Sequence, residues 1–204
     1  MKRFFALLVL IVACAAARAE TAVILVFGDS ISAGYGLAHV EQGWVELLRT
    51  RLKALGYVYQ VVNASVSGET TAGGVARLPR ALELHHPRIV VIELGGNDGL
   101  RASPIPQMRA NLKQMIDLAA AAGAKVLLLG MRMPPNYGVQ FTEQFRATFS
   151  DLAREKNIPL VPFLLQDIAL SPNLLQDDDI HPNALGQPQL LENVWPELKP
   201  LLRK

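Results

Sequence analysis

From Ala22 onward the chain alternates between short, nearly wholly apolar runs and longer segments of helical period, and few folds accept that alternation. The runs are Ala22–Phe27 (AVILVF), Val58–Val62, Ile89–Leu94 (IVVIEL), Val126–Leu129 and Ile158–Phe163. A strand apolar at nearly every position has to be covered on both faces. The intervening segments carry apolar residues at helical spacing. In Trp44–Leu55 these are Trp44, Val45, Leu47, Leu48, Leu52 and Leu55, with Gly56 as the stop. Further helices are expected over Gly74–Leu84, Met108–Ala122, Phe141–Lys156 and Leu190–Leu202, the last with an irregularity at Pro196. Strands each followed by a helix predict an α/β fold with a five-stranded parallel sheet between two helical layers. Right-handed crossovers leave few strand orders, and the flavodoxin-like 2-1-3-4-5 is one of them.

In that order the topological switch point lies between strands 1 and 3, and ligands bind beyond the carboxyl ends there. Gly28-Asp29-Ser30 and Gly95-Gly96-Asn97-Asp98 follow those two strands. Packing does not require polar residues at these points, so both segments are site candidates.

Residues 1–19 read as an address. Met1-Lys2-Arg3 is a basic head, and Phe4 to Ala17 is a run of 14 residues without a charge. As a helix that run spans about 21 Å, short of a bilayer core of about 30 Å. Ala17-Arg18-Ala19 supplies the small-x-small ending of a secretory signal peptide, with cleavage expected before Glu20. Residues 20–204 then form one domain, exported to the periplasm or beyond. Ile11-Val12-Ala13-Cys14 offers a second reading as a lipoprotein signal, although Cys14 sits very early for one. Cleavage after Ala19 leaves no cysteine, which suits an oxidising compartment. The whole chain carries +2, but losing Lys2, Arg3 and Arg18 leaves 17 basic against 18 acidic residues. No basic patch points to nucleic acid. A lone cysteine excludes a disulfide framework and a cysteine-based zinc site.

A serine hydroxyl needs a base before it acts as a nucleophile. Of the four histidines, His39 lies in a loop and His85 and His86 end a helix, where structural or solvated roles are simplest. His181 sits in Asp177-Asp178-Asp179-Ile180-His181-Pro182, a polar turn after the last strand. Asp178, three residues earlier, can reach the imidazole in a tight turn and hold its tautomer. The same aspartates also read as a solvated turn or a calcium loop, though they lack the alternation of an EF-hand loop. Acyl transfer further needs donors for the oxyanion. Gly68, in Asn63–Gly68 after strand 2, and Asn97 are candidates. Plainer readings make Gly68 a helix-entry turn and Asn97 a loop-holding residue.

Taken together, Gly28-Asp29-Ser30-Ile31, Gly68, Gly96-Asn97-Asp98 and Asp178–His181 resemble the four blocks of the SGNH (GDSL) hydrolase family, in the family order. The first block reads G-D-S-I instead of G-D-S-L. Asn63–Thr70 (NASVSGET), Arg77–Pro79, Glu93–Leu100 (ELGGNDGL), Pro135–Gly138 and His181–Asn183 are most similar to the bacterial periplasmic thioesterase I, lysophospholipase and arylesterase group. The resemblance implies a three-layer α/β/α sandwich. It implies Ser30 as nucleophile, His181 as base, Asp178 as its orienting acid, and an oxyanion hole from the Ser30 and Gly68 N–H groups and the Asn97 amide. It also implies hydrolysis of small acyl esters and thioesters, lipid-type chains included, without metal or cofactor. A carbohydrate O-acetylesterase or acyltransferase of the same family shares this machinery. Absence of G-x-S-x-G sets the chain apart from the α/β-hydrolases. A flavodoxin-like binding module cradling a flavin phosphate at Ser30–Gly34 leaves Asp178, His181 and Asn97 unexplained.

Overall fold

The computed structural model describes residues 21–204; the expected leader, with Cys14, lies outside the described residues. Five parallel strands form one sheet: β1 (Ala22–Gly28), β2 (Tyr59–Asn63), β3 (Ile89–Glu93), β4 (Lys125–Leu129) and β5 (Leu160–Val161). Their order is β2-β1-β3-β4-β5, as the alternation predicts. Ile24 to Phe27 of β1 and Ile89 to Ile92 of β3 are wholly buried, as central strands covered on both faces must be.

The helices are α1 (Ser30–Ala33), α2 (Trp44–Ala54), α3 (Thr71–His85), α4 (Gly96–Leu100), α5 (Ile105–Ala121), α6 (Val139–Lys156) and α7 (Gln187–Leu198). α5 packs between α3 and α6, while α2 packs on α7. Right-handed crossovers put these two groups on opposite faces of the sheet, giving three layers. The Trp44 backbone N–H donates to the buried Gln187 Oε1 at 3.0 Å, joining the starts of α2 and α7.

Several boundaries differ from the sequence expectation, each for a local reason. α3 begins at Thr71, earlier than Gly74, because the Thr70 hydroxyl accepts the Gly73 N–H at 3.3 Å and caps the helix. β5 shrinks from Ile158–Phe163 to Leu160–Val161 because Pro159 and Pro162 have no N–H to give a ladder. α7 runs through Pro196 unbroken and changes only at the 3-10 turn Lys199–Leu201. Pro196 deprives the Glu192 carbonyl of its helical donor, and Glu192 is exposed enough for water to serve instead.

Register sets the position of the site. Val26 lies opposite Asn63, and Gly28 opposite Glu93. The loops leaving β1, β2 and β3 therefore emerge side by side at one edge of the sheet.

The chain that continues from β5 to residue 181 is moored at Gly130. Its N–H donates to the Val161 carbonyl (2.8 Å) and its carbonyl accepts the Leu164 N–H (2.8 Å). A Cβ on Gly130 would meet the Pro162 and Val161 carbonyl oxygens at 2.6 and 2.8 Å. Gly130→Ala is expected to cost about 1–3 kcal/mol, as overpacking does. Urea unfolding should show a lower midpoint at unchanged slope. An unchanged midpoint would contradict this mooring.

Candidate active site

β1 ends at Gly28, and the chain turns at once into α1, a single turn that starts with Ser30. Asp29 caps it, its Oδ1 accepting the Ile31 N–H at 3.1 Å. Gly34, in the left-handed region at φ +75°, ends it. The Ser30 hydroxyl is thereby held at the lip of the sheet.

His181 reaches the same point from the far end of the chain. Its Nε2 lies 2.8 Å from Ser30 Oγ and its Nδ1 2.6 Å from Asp178 Oδ2. Asp178 Oδ1 also accepts the N–H groups of Ile180 and His181, each at 3.0 Å. The turn is closed by the Gln176 N–H to the His181 carbonyl (2.8 Å) and by a bridge between Leu175 and Pro182. Asn183 Nδ2 donates to the carbonyls of Asn173 and Leu175 (2.9 and 2.8 Å), bracing it from below. Burial works against ionisation of Asp178, but the hydrogen bonds from His181 and Ile180 prevail and hold its carboxyl down at about 2. As a carboxylate Asp178 only accepts, so His181 carries its hydrogen on Nδ1 and its Nε2 accepts from the Ser30 hydroxyl. The Tyr35 ring lies 4.7 Å from the imidazole, tilted by 47°.

Asn97 comes from α4, a short helix after β3, and its Nδ2 donates to Asp29 Oδ2 at 3.1 Å. Gly68 follows β2 with φ +78°, a conformation that a side chain would strain. Its carbonyl accepts from Arg101 Nη2 at 3.3 Å. Asp98 clips these two segments together. Its carboxylate accepts the Thr71 N–H (2.8 Å) and hydroxyl (2.6 Å), and Asn111 Nδ2 donates to that hydroxyl oxygen (3.0 Å).

Ser30, Gly68, Asn97 and His181 all line one cavity of about 500 Å³, with Asp178 behind His181. The five residues singled out from sequence are thus brought together. His39 and His86 stay exposed and His85 half-buried, and none of the three lines the cavity. Most of the remaining wall is apolar, including Met131, Met133, Phe163, Leu165 and Leu170. Among the described residues, no cluster of three or more His, Cys, Asp or Glu is arranged to hold a metal ion.

Glu93, a buried acid beneath the site, escaped the sequence reading, and Asp29 entered it only within the candidate segment Gly28-Asp29-Ser30. Glu93, the last residue of β3, is wholly buried, and Asp29 is 2% exposed. Glu93 Oε2 accepts the N–H groups of Asp29 (3.1 Å) and Ser32 (3.3 Å). The signal was available: an acid interrupts an otherwise apolar run that must be covered on both faces.

A hydroxyl bonded to an imidazole, the imidazole bonded to a carboxylate, and an amide side chain lining the same cavity are groups that acyl transfer can use. Known proteins with related sequences bear on the same chemistry. Residues 26–188 match the GDSL-like lipase/acylhydrolase family. Esterase TesA of Pseudomonas aeruginosa is 52% identical over 185 residues, covering 91% of this chain and 92% of that protein. Thioesterase 1/protease 1/lysophospholipase L1 of Escherichia coli K12 is 42% identical over 187 residues, covering 92% of this chain and 87% of that protein. A crystal structure of TesA superposes with a TM-score of 0.86 at 53% identity, covering 88% of this chain and 99% of that one. With its fold, its match over most of its length and its close relatives in agreement, the chain belongs to the GDSL-like lipase/acylhydrolase family of serine ester hydrolases.

Proposed function

We propose that this hydrolase cleaves acyl esters and thioesters through an acyl-enzyme formed on Ser30. The observation that carries the assignment is the continuous hydrogen-bonded chain Ser30–His181–Asp178 at the wall of an apolar cavity. Ser30 Oγ attacks the acyl carbonyl carbon while His181 Nε2 takes its proton. Asp178 stabilises the imidazolium and keeps its tautomer. The oxyanion is received by the Ser30 and Gly68 N–H groups and the Asn97 amide. Collapse breaks the bond to the leaving alkoxide or thiolate, which takes the proton from His181 Nε2. Water then attacks the acyl carbon, giving its proton to the same nitrogen, and the released Ser30 oxygen recovers it.

The apolar wall supports lipid-type acyl chains as the substrate class, since burying each methylene contributes about 0.8 kcal/mol. Residues 20–204 act as the hydrolase domain. Residues 1–19 direct it across the inner membrane to the periplasm or beyond, and among the described residues no helix is long and apolar enough to cross a membrane.

Ser30→Ala is expected to abolish ester hydrolysis at unchanged melting temperature, because it removes one small hydroxyl at a cavity wall. A fluorophosphonate should label Ser30 alone, with the modified peptide identified by mass spectrometry. Labelling at Ser32 or Ser67 in place of Ser30 would overturn the nucleophile assignment. For the leader, intact mass of the exported protein should correspond to a chain beginning at Glu20. A lipid-bearing chain beginning at Cys14 would contradict it.

A further inference from the structure

The acids under the nucleophile are the least expected feature of the molecule. Glu93 ends a strand buried along its whole length. Opposite it in register stands Gly28, and a Cβ there would lie 2.5 Å from Glu93 Oε2. The carboxyl therefore occupies the space that any larger residue at position 28 would need. Its Oε2 holds two backbone donors, the Asp29 and Ser32 N–H groups, on either side of Ser30 and Ile31. Its Oε1 is buried with no hydrogen-bond partner, and so is Ser32 Oγ. Neither Glu93 nor Asp29 forms an ion pair among the described residues, although burying a charge normally demands one.

Asp29 lies beside Glu93, its carboxyl close to that of Glu93. One carboxylate oxygen caps Ile31, in the helix of Ser30, and the other receives Asn97 Nδ2. A single side chain thus joins the hydroxyl's helix to the amide proposed as oxyanion donor. An Asn side-chain amide has two hydrogens. With one given to Asp29, rotation about the terminal bond is stopped and the second hydrogen has a fixed direction.

We infer that Asp29 and Glu93 form a positioning pair for ester hydrolysis: Asp29 aims the Asn97 amide, and Glu93 anchors from beneath the turn that carries Ser30. The inference rests on the roles proposed above for Ser30 and Asn97. Protonation agrees with the geometry. Burial, and then the charge of Asp29, push the Glu93 carboxyl well above its usual range. Burial also pushes Asp29 up, to about 6, against the pull of the Ile31 N–H and its other hydrogen bonds. At neutral pH Asp29 is ionised, and charge on Glu93 is the more strongly disfavoured of the two. Asp29 as a carboxylate has only acceptors to offer, which is what Asn97 Nδ2 requires. Neither acid lines a path for the transferred proton, which runs between Ser30 and His181; their effect is on geometry.

The test is a set of variants read by kcat, KM and melting temperature. Asp29→Asn keeps the volume and the helix cap but turns a donor group toward the Asn97 donor. It should lower kcat, by up to the roughly 100–1000-fold that loss of one oxyanion donor removes, with KM within about twofold. In an Asn97→Ala background the same change should have little further effect, because Asp29 acts through Asn97. Glu93→Met fills the space without an acceptor and should lower kcat, while Glu93→Gln, which restores the acceptor, should recover most of the loss. Equal losses from Asp29→Asn in both backgrounds, or no recovery with Glu93→Gln, would overturn the pair. If Asn97→Ala alone left kcat unchanged, the oxyanion role would fail first and the inference would fall with it. A measurement on the unaltered protein covers variants that do not fold. The Asp29 and Ser32 amide protons and one Asn97 side-chain proton should exchange slowly by NMR, and rapid exchange of the Asn97 proton would overturn the aiming role.

Discussion

The hydrogen bond between Ser30 and His181 joins residues 151 positions apart, and the placement of both depends on the sheet between them. Ser30 is delivered by the first strand. His181 is delivered by a turn that begins only after the last strand has been laid down. Neither end finds the other unless all five strands take their order and the Leu175–Pro182 bridge closes the turn. Such a contact carries a large loop-closure entropy, offset by the wholly buried strands β1 and β3 and not by the bond itself. Fold stability and site geometry are therefore linked at one edge of one sheet.

That edge is layered. At the surface lie the groups that would meet substrate: the Ser30 hydroxyl, the Asn97 amide and the His181 ring. Below them Asp29, Asp98 and Asp178 each hold donors of the layer above or of its supports. Glu93 lies deepest, bonded only to backbone. Asp178 and Asp29 differ in surroundings and so in charge behaviour. Asp178 is exposed and well supplied with donors, and stays ionised down to about pH 2. Asp29 is buried, and its carboxyl is pushed up. Placing a depressed acid beside the imidazole and raised acids under the turn keeps negative charge near His181, where a cation forms.

Much of this was legible in the residues. Apolar runs of strand length gave away β1 to β4 and the parallel order, most plainly in β1 and β3, which are covered on both faces and leave no polar face to misread. The site residues stood out because Ser30 and Asn97 follow nearly wholly apolar runs, at points where packing has no use for them. The one-turn helices α1 and α4 were not visible, since four or five residues contain no helical period. β5 was overextended because the apolar run around Leu160 hides what Pro159 and Pro162 lack, a backbone donor. Glu93 was passed over within IVVIEL, where a lone acid in an apolar run is easily taken for a strand end. Only the register with Gly28 shows that its carboxyl has a place and a load.

The central claim is that Asp178 accepts the His181 Nδ1 hydrogen and so leaves Nε2 free for Ser30. Proton NMR of histidine-¹⁵N-labelled protein tests it directly. The account predicts a strongly downfield, exchange-protected proton on His181 Nδ1 at neutral pH. That proton should persist in Ser30→Ala and disappear in Asp178→Ala. A hydrogen found on Nε2 instead, or a downfield proton that survives Asp178→Ala, would contradict it.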